Sequence, residues 1–438
     1  MRVPMVQLVM QKTFFIYTYG CQMNVHDSEK MLGTLERSGY AAAASPDKAD
    51  LIIFNTCAIR AKAEQKFFSQ LGRTKIMKRN KPHLKIAVAG CVAQECKDKL
   101  WDRAPYVDFV VGPQNIPHVK DLLTSDKKMY VEDNPDIATH EYEVRRASSS
   151  RAWVAIMYGC NNYCSYCIVP YTRGREISRP SSSILTEINK LRERGYREVT
   201  LLGQNVNSYK SDKDFVGLLY EIGRTGIDRV RFVTSHPRDL SPELIDAMAR
   251  VPSVCEHLHL PLQSGSDRIL ARMNRKYSYD LYREKVMMLR ERVPGISITT
   301  DIIVGFPGEG DLDYQATVKA IEELRFDGMF GFKYSQRNGT LASEMKDQVP
   351  EGVKTDRINE LLKIQEEVTL QCNRALEDTV QEILLEGPSE TAPEMLMGRT
   401  RTNKIVTIPV SDDKEGSLVR VKIRRARHHS LDGIKVSL

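Results

Sequence analysis

The sequence predicts an α/β protein in three parts: an N-terminal open parallel α/β sheet, a central partial barrel of (βα)6 type and a small C-terminal β-barrel. Short apolar runs alternate with helical patterns over residues 14–111, and the alternation returns on a larger scale over residues 152–335. Residues 378–438 instead contain short strand patterns separated by turn residues. Alternation favours parallel sheets covered by helices, whereas a succession of short strands favours a closed barrel.

The N-terminal elements follow one another in strand–helix order. The predicted strands are residues 14–19, 50–54, 85–89 and 107–111, and the predicted helices are residues 27–38, 61–79 and 95–102. Each strand is a short apolar run, and each helix shows apolar residues at helical spacing. A polar stretch, residues 130–150, ends in an Arg- and Ser-rich run and is predicted to be a linker.

The central region contains about six strand–helix units, too few to close an eight-stranded barrel. After the start near residue 152, the predicted strands are residues 198–202, 228–234, 257–260, 297–304 and 329–334. The predicted helices are residues 184–194, 242–251, 280–292 and 314–324. We therefore expect an open, partial barrel.

The C-terminal part is short-stranded and basic. A helix pattern over residues 353–375 leads into it, and the predicted strands are residues 381–386, 395–399, 405–409, 418–423 and 433–436. Residues 396–438 hold ten Lys or Arg and four Asp or Glu. Their net charge of +6 is nearly the whole net charge of the chain, which is +7. This asymmetry indicates a polyanion partner, nucleic acid first, and the alternative is a solvated basic surface.

Composition argues against a membrane protein and a secreted protein. No apolar run approaches the ~18 residues of a membrane span, and residues 1–12 lack the apolar core and cleavage site of a signal peptide. We expect a cytoplasmic protein, most simply a monomer. In that compartment nine cysteines indicate metal or redox chemistry rather than disulfides.

Cys160, Cys164 and Cys167 are at most seven positions apart, and thiolates this close can hold one metal centre. On a four-iron cluster, three cysteines leave one iron open for a substrate or cofactor. The alternative is a zinc site or a disulfide. Structural zinc usually has two pairs of ligands, and the next cysteine downstream, Cys255, has no partner near it.

A second trio, Cys21, Cys57 and Cys91, is dispersed, but each cysteine follows a predicted strand. The carboxyl ends of parallel strands share one edge, where ligands bind. We therefore expect a second cluster with an open iron, the alternative being three unrelated buried thiols. Gly20 and Gly90 are expected to let a bulky inorganic group approach the backbone. The remaining cysteines are assigned to packing or the surface: Cys96, Cys255 and Cys372.

Several strings resemble the methylthiotransferase family of radical S-adenosylmethionine (SAM) enzymes, over essentially the full chain. Besides the 160–167 cysteine run, they are Gly-Cys-Gln-Met-Asn at residues 20–24, Val-Pro-Tyr-Thr-Arg-Gly at 169–174, Leu-Gly-Gln-Asn-Val-Asn at 202–207, His-Leu-Pro-Leu-Gln-Ser-Gly-Ser-Asp at 259–267 and Val-Gly-Phe-Pro-Gly-Glu at 304–309. Gln22 and Met23 stand where the ribosomal-protein branch typically has Pro-Lys. The chain is therefore most similar to the MiaB-type, tRNA-modifying branch.

The resemblance implies a cluster-binding domain over residues 1–144, a TIM-like radical SAM barrel over 145–374 and a TRAM domain, an OB-like RNA-binding barrel, over 375–438. It implies two 4Fe–4S clusters, with SAM as methyl donor and radical source. The implied substrate is tRNA carrying N6-dimethylallyladenosine beside the anticodon, which receives a methylthio group at C2. An external electron donor and a sulfur donor are implied as well.

By the same resemblance, the 160–167 trio holds the cluster that cleaves SAM, and the dispersed trio holds an auxiliary cluster that delivers sulfur. Acid–base catalysis cannot activate the C2–H bond of adenine, so a cofactor must supply the radical. Polar residues after barrel strands are expected at the catalytic edge. The expected cofactor-binding residues are Tyr166, Arg173, Gln204, Asn205, Gln263, Ser264, Gly305 and Gly308. Ordinary packing is the alternative for Tyr166, and a structural turn for the glycines.

The C-terminal cations are expected to contact RNA. They are Arg399, Arg401, Lys404, Arg420, Lys422, Arg424 and Arg425. Three apolar residues, at positions 419, 421 and 423, alternate with three of these cations, which predicts one buried and one basic face. Two other functions stay open: a sister methylthiotransferase acting on threonylcarbamoyladenosine tRNA or on a ribosomal protein, and a non-catalytic, metal-containing RNA-binding protein.

Overall fold

The computed structural model describes residues 11–58, 61–390 and 392–436, and it divides into two compact units. Unit 1 consists of the described residues of Met1–Ala147 and Ile168–Arg175. Unit 2 consists of those of Ser148–Cys167 and Glu176–Leu438. The segment directly after Cys167 therefore belongs to unit 1. Among the described residues, none of the helices combines the length and apolar character that a membrane crossing needs.

Unit 1 is built around a parallel sheet with strand order β2-β1-β3-β4-β5-β6. The strands are β1 (Thr13–Thr18), β2 (Ala41–Ala42), β3 (Leu51–Thr56), β4 (Lys85–Gly90), β5 (Phe109–Val111) and β6 (Met129–Tyr130). The helices are α1 (Gln22–Arg37), α2 (Ala61–Asn80), α3 (Cys91–Cys96), α4 (Lys99–Arg103) and α5 (Val169–Arg173). Along β3, Ile52 and Phe54 pack into one apolar cluster and Leu51 and Ile53 into another. This is the alternation expected of a strand covered on both faces.

The predicted N-terminal sheet is confirmed, but three local features differ. Helix α1 begins at Gln22 rather than at residue 27, so Cys21 immediately precedes it. The single helix predicted over 95–102 is two short helices, separated where Lys97 has a positive φ of 50°. The predicted linker packs on α1 before unit 1 ends, because the Arg145 amide donates to the Glu29 carbonyl at 3.1 Å.

Unit 2 begins with the predicted partial barrel. Its strands are β7 (Arg151–Ala155), β8 (Met157–Tyr158), β9 (Ile177–Ser178), β10 (Glu198–Leu202), β11 (Arg229–Phe232), β12 (His257–His259), β13 (Ser297–Val304) and β14 (Gly328–Lys333). Its helices are α6 (Ser181–Glu193), α7 (Phe215–Arg224), α8 (Pro242–Arg250), α9 (Asp267–Arg272), α10 (Tyr279–Arg292), α11 (Asp311–Leu324), α12 (Leu341–Glu344) and α13 (Glu351–Arg374). Six of the strands form two parallel three-stranded sheets, β11-β10-β7 and β12-β13-β14. The Val230–Val254 bridge connects β11 to the segment leading into β12.

The C-terminal part of unit 2 is the predicted small barrel, closed in the order β15-β16-β17-β19-β18. Its strands are β15 (Val380–Pro388), β16 (Met395–Thr400), β17 (Ile405–Pro409), β18 (Leu418–Ala426) and β19 (Leu431–Lys435). In β18 the apolar residues at 419, 421 and 423 are buried, while Arg420 and Arg424 are exposed. The expected buried and basic faces of this strand are confirmed.

Candidate metal centres and nucleic-acid interface

The dispersed cysteines follow three neighbouring strands of unit 1, β1, β3 and β4, at the carboxyl edge of the sheet. Cys57 and Cys91 are buried, and Cys21 is partly exposed. Cys21 is also the residue at the N-terminus of α1, where free backbone N–H groups favour an anion. Unit 1 thus brings all three thiols to the edge where the strand pattern predicts them.

The thiol of Cys21 is poised to ionise. A hydrogen bond from Cys57, the charge of Arg173 and bonds from the backbone at Asn24 and Met23 together lower the pKa of Cys21 to about 5, although burial opposes them. Thiolate is the form of cysteine that ligates metals. The donor chemistry of this edge therefore suits an iron–sulfur cluster.

A buried polar network holds the cysteine-bearing strand ends together. Asn24 donates to the Thr56 carbonyl at 3.0 Å, and Asn55 donates to the Asn24 carbonyl at 2.8 Å and to Ser28 Oγ at 2.9 Å. Thr56 Oγ1 donates to the Ala89 carbonyl at 2.6 Å. These residues carry no predicted role in the sequence. The available signal was a run of polar side chains directly beside cysteines at the end of apolar strands.

Gly20 and Gly90 serve the packing of the chain itself, and the expected approach of an inorganic group stays a prediction. Their φ angles are +135° and +87°, a region that side chains disfavour. A Cβ on Gly20 would lie 2.5 Å from Cys57 Cβ, and a Cβ on Gly90 would overlap the Thr56 carbonyl oxygen. The atoms that approach Gly20 belong to Asn24 and Cys57, and those that approach Gly90 belong to Asn55 and Thr56.

Arg173 lies with the dispersed trio in unit 1. Its guanidinium donates to Asp27 Oδ2 at 2.9 Å, and the two side chains are only 6% and 2% exposed. Burial lowers the pKa of Arg173, but Cys91, Asp27 and Cys21 raise it further, so the group stays charged. The expectation that Arg173 binds a phosphate or the SAM carboxylate is therefore corrected: its charge is already paired with a buried carboxylate.

The consecutive trio sits on a loop of unit 2. Hydrogen bonds at the start and in the middle of this loop hold it in place. The Ser165 amide donates to the Met273 carbonyl at 3.0 Å, and Asn274 Nδ2 donates to the Tyr163 carbonyl at 2.9 Å. At its start, the Gly159 amide donates to Gln204 Oε1 at 2.5 Å. Cys160 and Cys164 are buried and Cys167 is partly exposed; burial raises the pKa of Cys160.

Neither trio is arranged like a single-ion site. In the described part of the chain, no three His, Cys, Asp or Glu side chains converge on one ion position, and none of the nine cysteines forms a disulfide. A structural zinc site needs such convergence. An iron–sulfur cluster binds each thiolate through a different iron and does not need it. Thiol donors in sets of three suit an iron–sulfur cluster that keeps one iron open.

Polar atoms without partners lie at the carboxyl ends of the barrel strands. Within the described residues, the buried oxygens Asn205 Oδ1, Ser235 Oγ and Gln263 Oε1 accept or donate no hydrogen bond. Gln263 and Thr234 have positive φ angles of 73° and 68°, and such strain is typical of functional sites. Unsatisfied buried oxygens fit the amino and hydroxyl groups of SAM. Ser235 was missed because it follows β11 in an unremarkable loop.

The other expected cofactor residues have partners within the protein. The Tyr166 ring meets Phe306 edge-on at 6.4 Å, and Ser264 Oγ accepts from the Ser266 amide at 3.2 Å. The Gly305 amide donates to Glu309 Oε1 at 2.8 Å, while Gly308 turns with a φ of +80°. These contacts favour the packing and structural-turn alternatives.

Arg275 is a site residue that sequence reasoning missed. It is buried, and its Nη1 donates to Cys164 Sγ at 3.3 Å. Its Nη2 donates to the Pro261 carbonyl at 3.2 Å and its Nε to the Tyr277 hydroxyl at 3.1 Å. Among the described residues no carboxylate forms an ion pair with it. No local signal distinguishes this arginine, because the cysteine that it contacts lies 111 positions away in the sequence.

The expected RNA-binding cations divide into two groups. Arg401 pairs with Glu256 at 2.8 Å, and Lys404 pairs with Asp327 at 2.7 Å, so both attach the C-terminal barrel to the rest of unit 2. Arg399 pairs with Glu386 at 3.0 Å. The expectation of free RNA contacts is corrected for these three residues, because each charge is already paired.

The second group forms one face of β18. Arg420, Arg424 and Arg425 are exposed. Lys422 lies 3.2 Å and Arg424 3.8 Å from the well-exposed carboxylate of Asp378. Exposed pairs of this kind are weak and exchange readily for other anions. This β18 face, residues 420, 422, 424 and 425, is the candidate nucleic-acid interface.

Comparison with family models matches three segments of the chain. Residues 13–112 match the uncharacterized protein family UPF0004, residues 154–321 the radical SAM superfamily and residues 374–436 the TRAM domain. Among solved structures, the radical S-adenosylmethionine methyltransferase TsrM from Kitasatospora setae has a TM-score of 0.56 at 14% identity, covering 74% of this chain and 73% of that one. That likeness supports the fold.

Curated relatives resemble the chain along its length. The tRNA-2-methylthio-N(6)-dimethylallyladenosine synthase of Thermodesulfovibrio yellowstonii is 51% identical over 97% of this chain and 99% of its own. The synthase of the same name from Carboxydothermus hydrogenoformans is 47% identical over 97% of this chain and 100% of its own. The matched length takes in both cysteine trios and the C-terminal barrel. The chain belongs to the MiaB-type radical SAM methylthiotransferases, the family of the tRNA-2-methylthio-N(6)-dimethylallyladenosine synthases.

Proposed function

We infer that this protein is a tRNA-2-methylthio-N(6)-dimethylallyladenosine synthase, which uses SAM and two [4Fe–4S] clusters to place a methylthio group on C2 of the modified adenine. Full-length identity to synthases of that name carries the inference. The chain's own chemistry supports it: two separate cysteine trios, each with three thiols, lie in different units. A reaction that needs both a radical source and a sulfur carrier needs two such sites.

Each trio has its own task in this proposal. Cys160, Cys164 and Cys167 hold the cluster that binds SAM, and the dispersed trio holds the auxiliary cluster. When bound, the clusters and SAM supply a carbon radical, a methyl group and a sulfur atom, none of which a side chain provides. The protein's own part is to bind the clusters and SAM, to orient them and to enclose them. The buried network behind Asn24 and Asn55 fixes the auxiliary strand ends.

The barrel edge orients SAM. Asn205, Ser235 and Gln263 hold unsatisfied oxygens at this edge, which would accept hydrogen bonds from the amino and hydroxyl groups of SAM. Asn205 is itself fixed, because its Nδ2 donates to Asp239 Oδ2 at 2.8 Å. Gln204 has a different role: it accepts from the Gly159 amide and holds the start of the cysteine loop. These assignments replace the broader set of contacts expected from the sequence.

The tRNA is bound by phosphate contacts and recognised at the reacting base. The β18 face supplies cations that position the RNA but carry no sequence information, while the modified adenine is read in the active site. An external reductant and an external sulfur source complete the reaction. The protein works as a monomer in the cytoplasm, where its tRNA substrate is found.

The deciding experiment uses anaerobically reconstituted protein with SAM, a reductant and two tRNA pools. One pool carries dimethylallyladenosine and the other threonylcarbamoyladenosine, and the nucleosides are analysed by mass spectrometry. We expect about eight irons per chain and methylthiolation of the first pool. Product from the second pool alone would assign the chain to the sister activity. SAM cleavage without modification of either pool would refute a tRNA substrate.

Two variants separate the clusters. Cys164→Ala should lose about half of the iron together with SAM cleavage, since it removes a ligand of the SAM-binding cluster. Cys21→Ala should lose a similar share of iron but keep SAM cleavage, while forming no methylthio product. Loss of SAM cleavage in Cys21→Ala, with the other cluster intact, would contradict this division of tasks.

A further inference from the structure

Helix α2 carries an open groove beside the dispersed trio. This α2 groove has a volume of about 440 Å³ and is lined by Tyr19, Lys62, Gln65, Lys66, Ser69, Gln70 and Arg73. Tyr19 follows β1 directly and stands two positions before Cys21. The groove therefore lies at the same edge of the unit 1 sheet as the auxiliary cysteines.

The α2 groove is positively charged and carries no lining carboxylate. Lys62, Lys66 and Arg73 are exposed, and in the described part of the chain none of them forms an ion pair. Lys78, on the same helix, is different: it pairs with Asp108 and donates to the Tyr106 carbonyl at 2.9 Å. Lys78 is thus occupied by contacts within unit 1, whereas the cations of the groove are available to an external anion.

The uncharged lining indicates what kind of anion fits. Tyr19 is partly exposed, with its ring supported by Tyr17 at 6.3 Å and Phe67 at 6.4 Å. Gln70 is oriented by a 3.0 Å hydrogen bond to the Tyr17 hydroxyl. A small inorganic anion needs neither a ring nor amides. Single-stranded RNA uses all three kinds of group: cations for phosphates, a ring for stacking and amides for base edges.

We propose that the α2 groove binds the anticodon loop of the substrate tRNA, with Lys62, Lys66 and Arg73 on phosphates and Tyr19 against an unpaired base. This rests on the proposed function, which makes RNA the substrate. It adds an RNA-binding surface on unit 1, distinct from the β18 face. Binding there would hold the loop close to the edge that carries Cys21.

The test measures tRNA affinity of the full-length, cluster-loaded protein at several salt concentrations. Lys66→Ala with Arg73→Ala should weaken binding about tenfold at low salt and reduce the salt slope by about two, roughly one for each cation removed from a phosphate. Tyr19→Ala should weaken binding with the slope unchanged, because stacking releases no counterions. Lys75→Ala, an exposed lysine of α2 outside the groove, is the matched control and should behave like wild type.

Each result has a separate meaning. Wild-type affinity and slope in the double variant, with iron content intact, would overturn the groove proposal and leave the proposed function standing. The double variant could instead keep its tRNA affinity but turn over more slowly in repeated cycles with an added sulfur source. That result would assign the groove to a sulfur donor and would also overturn the groove proposal. Absence of salt-dependent tRNA binding by the wild-type protein would instead count against the proposed function.

A second, independent observation concerns the consecutive trio. Arg275 is a buried cation, and among the described residues it has no carboxylate partner. Leaving a charge unpaired in the interior costs several kcal/mol, so an anion is required. The neighbouring His236 cannot compensate, because an imidazole is either neutral or cationic; burial and the charge of Arg275 lower its pKa to about 2. The acidic groups within reach of the guanidinium are the Tyr277 hydroxyl at 3.1 Å and the Cys164 thiol at 3.3 Å, and a thiol is ordinarily the stronger acid of the two.

We infer that Arg275 is the counter-ion of the SAM-binding cluster and stabilises its reduced, more negative form through the Cys164 sulfur. Hydrogen bonds and charge near cluster sulfurs tune the reduction potential. The Pro261 carbonyl and Tyr277 hold the guanidinium, so it cannot turn away. Arg275 is a positioning and electrostatic residue, with the cluster as its partner.

The test is a redox titration of the anaerobic holoenzyme followed by electron paramagnetic resonance, with the SAM-binding cluster identified by the signal that changes when SAM is added. In Arg275→Gln the equilibrium constant for reduction should fall about tenfold, which is about 59 mV for one electron. Arg275→Lys, which keeps the charge, should recover most of that shift. Lys276→Gln removes an exposed charge next in sequence and is the control.

The potential separates this role from a purely structural one. A structural residue would change the iron content or the stability of the fold but leave the potential of the loaded cluster unchanged. An unshifted potential in Arg275→Gln would overturn the inference. If Arg275→Gln does not load iron, Arg275→Lys decides. This variant keeps the charge, so a potential about 59 mV below that of wild type would overturn the inference as well.

Discussion

Replacing Asp27 by Asn should strongly destabilise unit 1. The carboxylate lies 2.9 Å from Arg173, and both side chains are almost completely buried, at 2% and 6% exposure. Removing one partner of a buried ion pair leaves the other charge uncompensated and costs about 3–5 kcal/mol. Because an Asn oxygen can still accept one hydrogen bond from the guanidinium, we expect the lower end, about 3 kcal/mol.

The assay is urea unfolding of the reduced, cluster-free protein, followed by circular dichroism. With a slope of about 2 kcal/mol per molar urea, the midpoint of the unit 1 transition should fall by about 1.5 M. The control is Glu143→Gln, which breaks the Arg37–Glu143 pair of the same unit. That pair is 3.3 Å long and 70% and 62% exposed, and exposed pairs contribute about 0–1 kcal/mol.

A double variant shows whether charge is the cause. Asp27→Asn combined with Arg173→Met removes both charges, so neither is left buried without its partner. The double variant should therefore recover most of the lost stability. The reasoning is refuted if Asp27→Asn shifts the midpoint no more than Glu143→Gln does, or if the double variant is as unstable as the single one.

Three further predictions concern other parts of the chain. In cluster-free protein near neutral pH, iodoacetamide should alkylate Cys21 well before Cys96. The pKa is about 5 for Cys21 and about 11 for Cys96, so only the Cys21 thiol is ionised at that pH. Equal alkylation rates of the two cysteines in peptide mass spectra would contradict this. Arg420→Ala should weaken tRNA binding and reduce the salt slope by about one, whereas Arg401→Ala should lower thermal stability with the slope unchanged, because Arg401 is already paired within unit 2. Gly20→Ala should destabilise unit 1 by about 2 kcal/mol or more. A left-handed backbone alone costs about 1–2 kcal/mol, and the new Cβ meets Cys57 Cβ at 2.5 Å. A urea midpoint within error of that of wild type would show that this loop relaxes freely.

The strand–helix alternation was enough to predict the two α/β parts, because burial on both faces of a parallel sheet imposes continuous apolar strands, and the succession of short strands was enough to predict the barrel. The start of α1 was misplaced because Cys21 precedes it and is not a typical helix-capping residue. Helix α7 was overlooked although its signal was present: the buried residues Phe215, Leu218, Leu219 and Ile222 have helical spacing.

The cysteines proposed as cluster ligands can be picked out in the sequence, but the groups that surround them cannot. Spacing identifies Cys160, Cys164 and Cys167, and position after strands identifies the dispersed trio. Arg173 and Arg275 act through partners 146 and 111 residues away, and a sequence does not display such contacts. Charge counting failed for the same reason at Arg401 and Lys404, since a paired cation and a free one are identical in composition.

The two buried arginines make an electrostatic contrast that one experiment can test. Arg173 stands beside its cysteines as half of a neutral pair with Asp27, whereas Arg275 stands beside Cys164 without a carboxylate among the described residues. Asp27→Asn would give the dispersed trio the unpaired cation that the consecutive trio already has. In the cluster-loaded protein, that variant should raise the reduction potential of the auxiliary cluster, while Arg275→Gln lowers that of the SAM-binding cluster. Shifts of the same sign, or none in the Asp27 variant, would show that these arginines stabilise the fold without setting the charge felt at the thiolates.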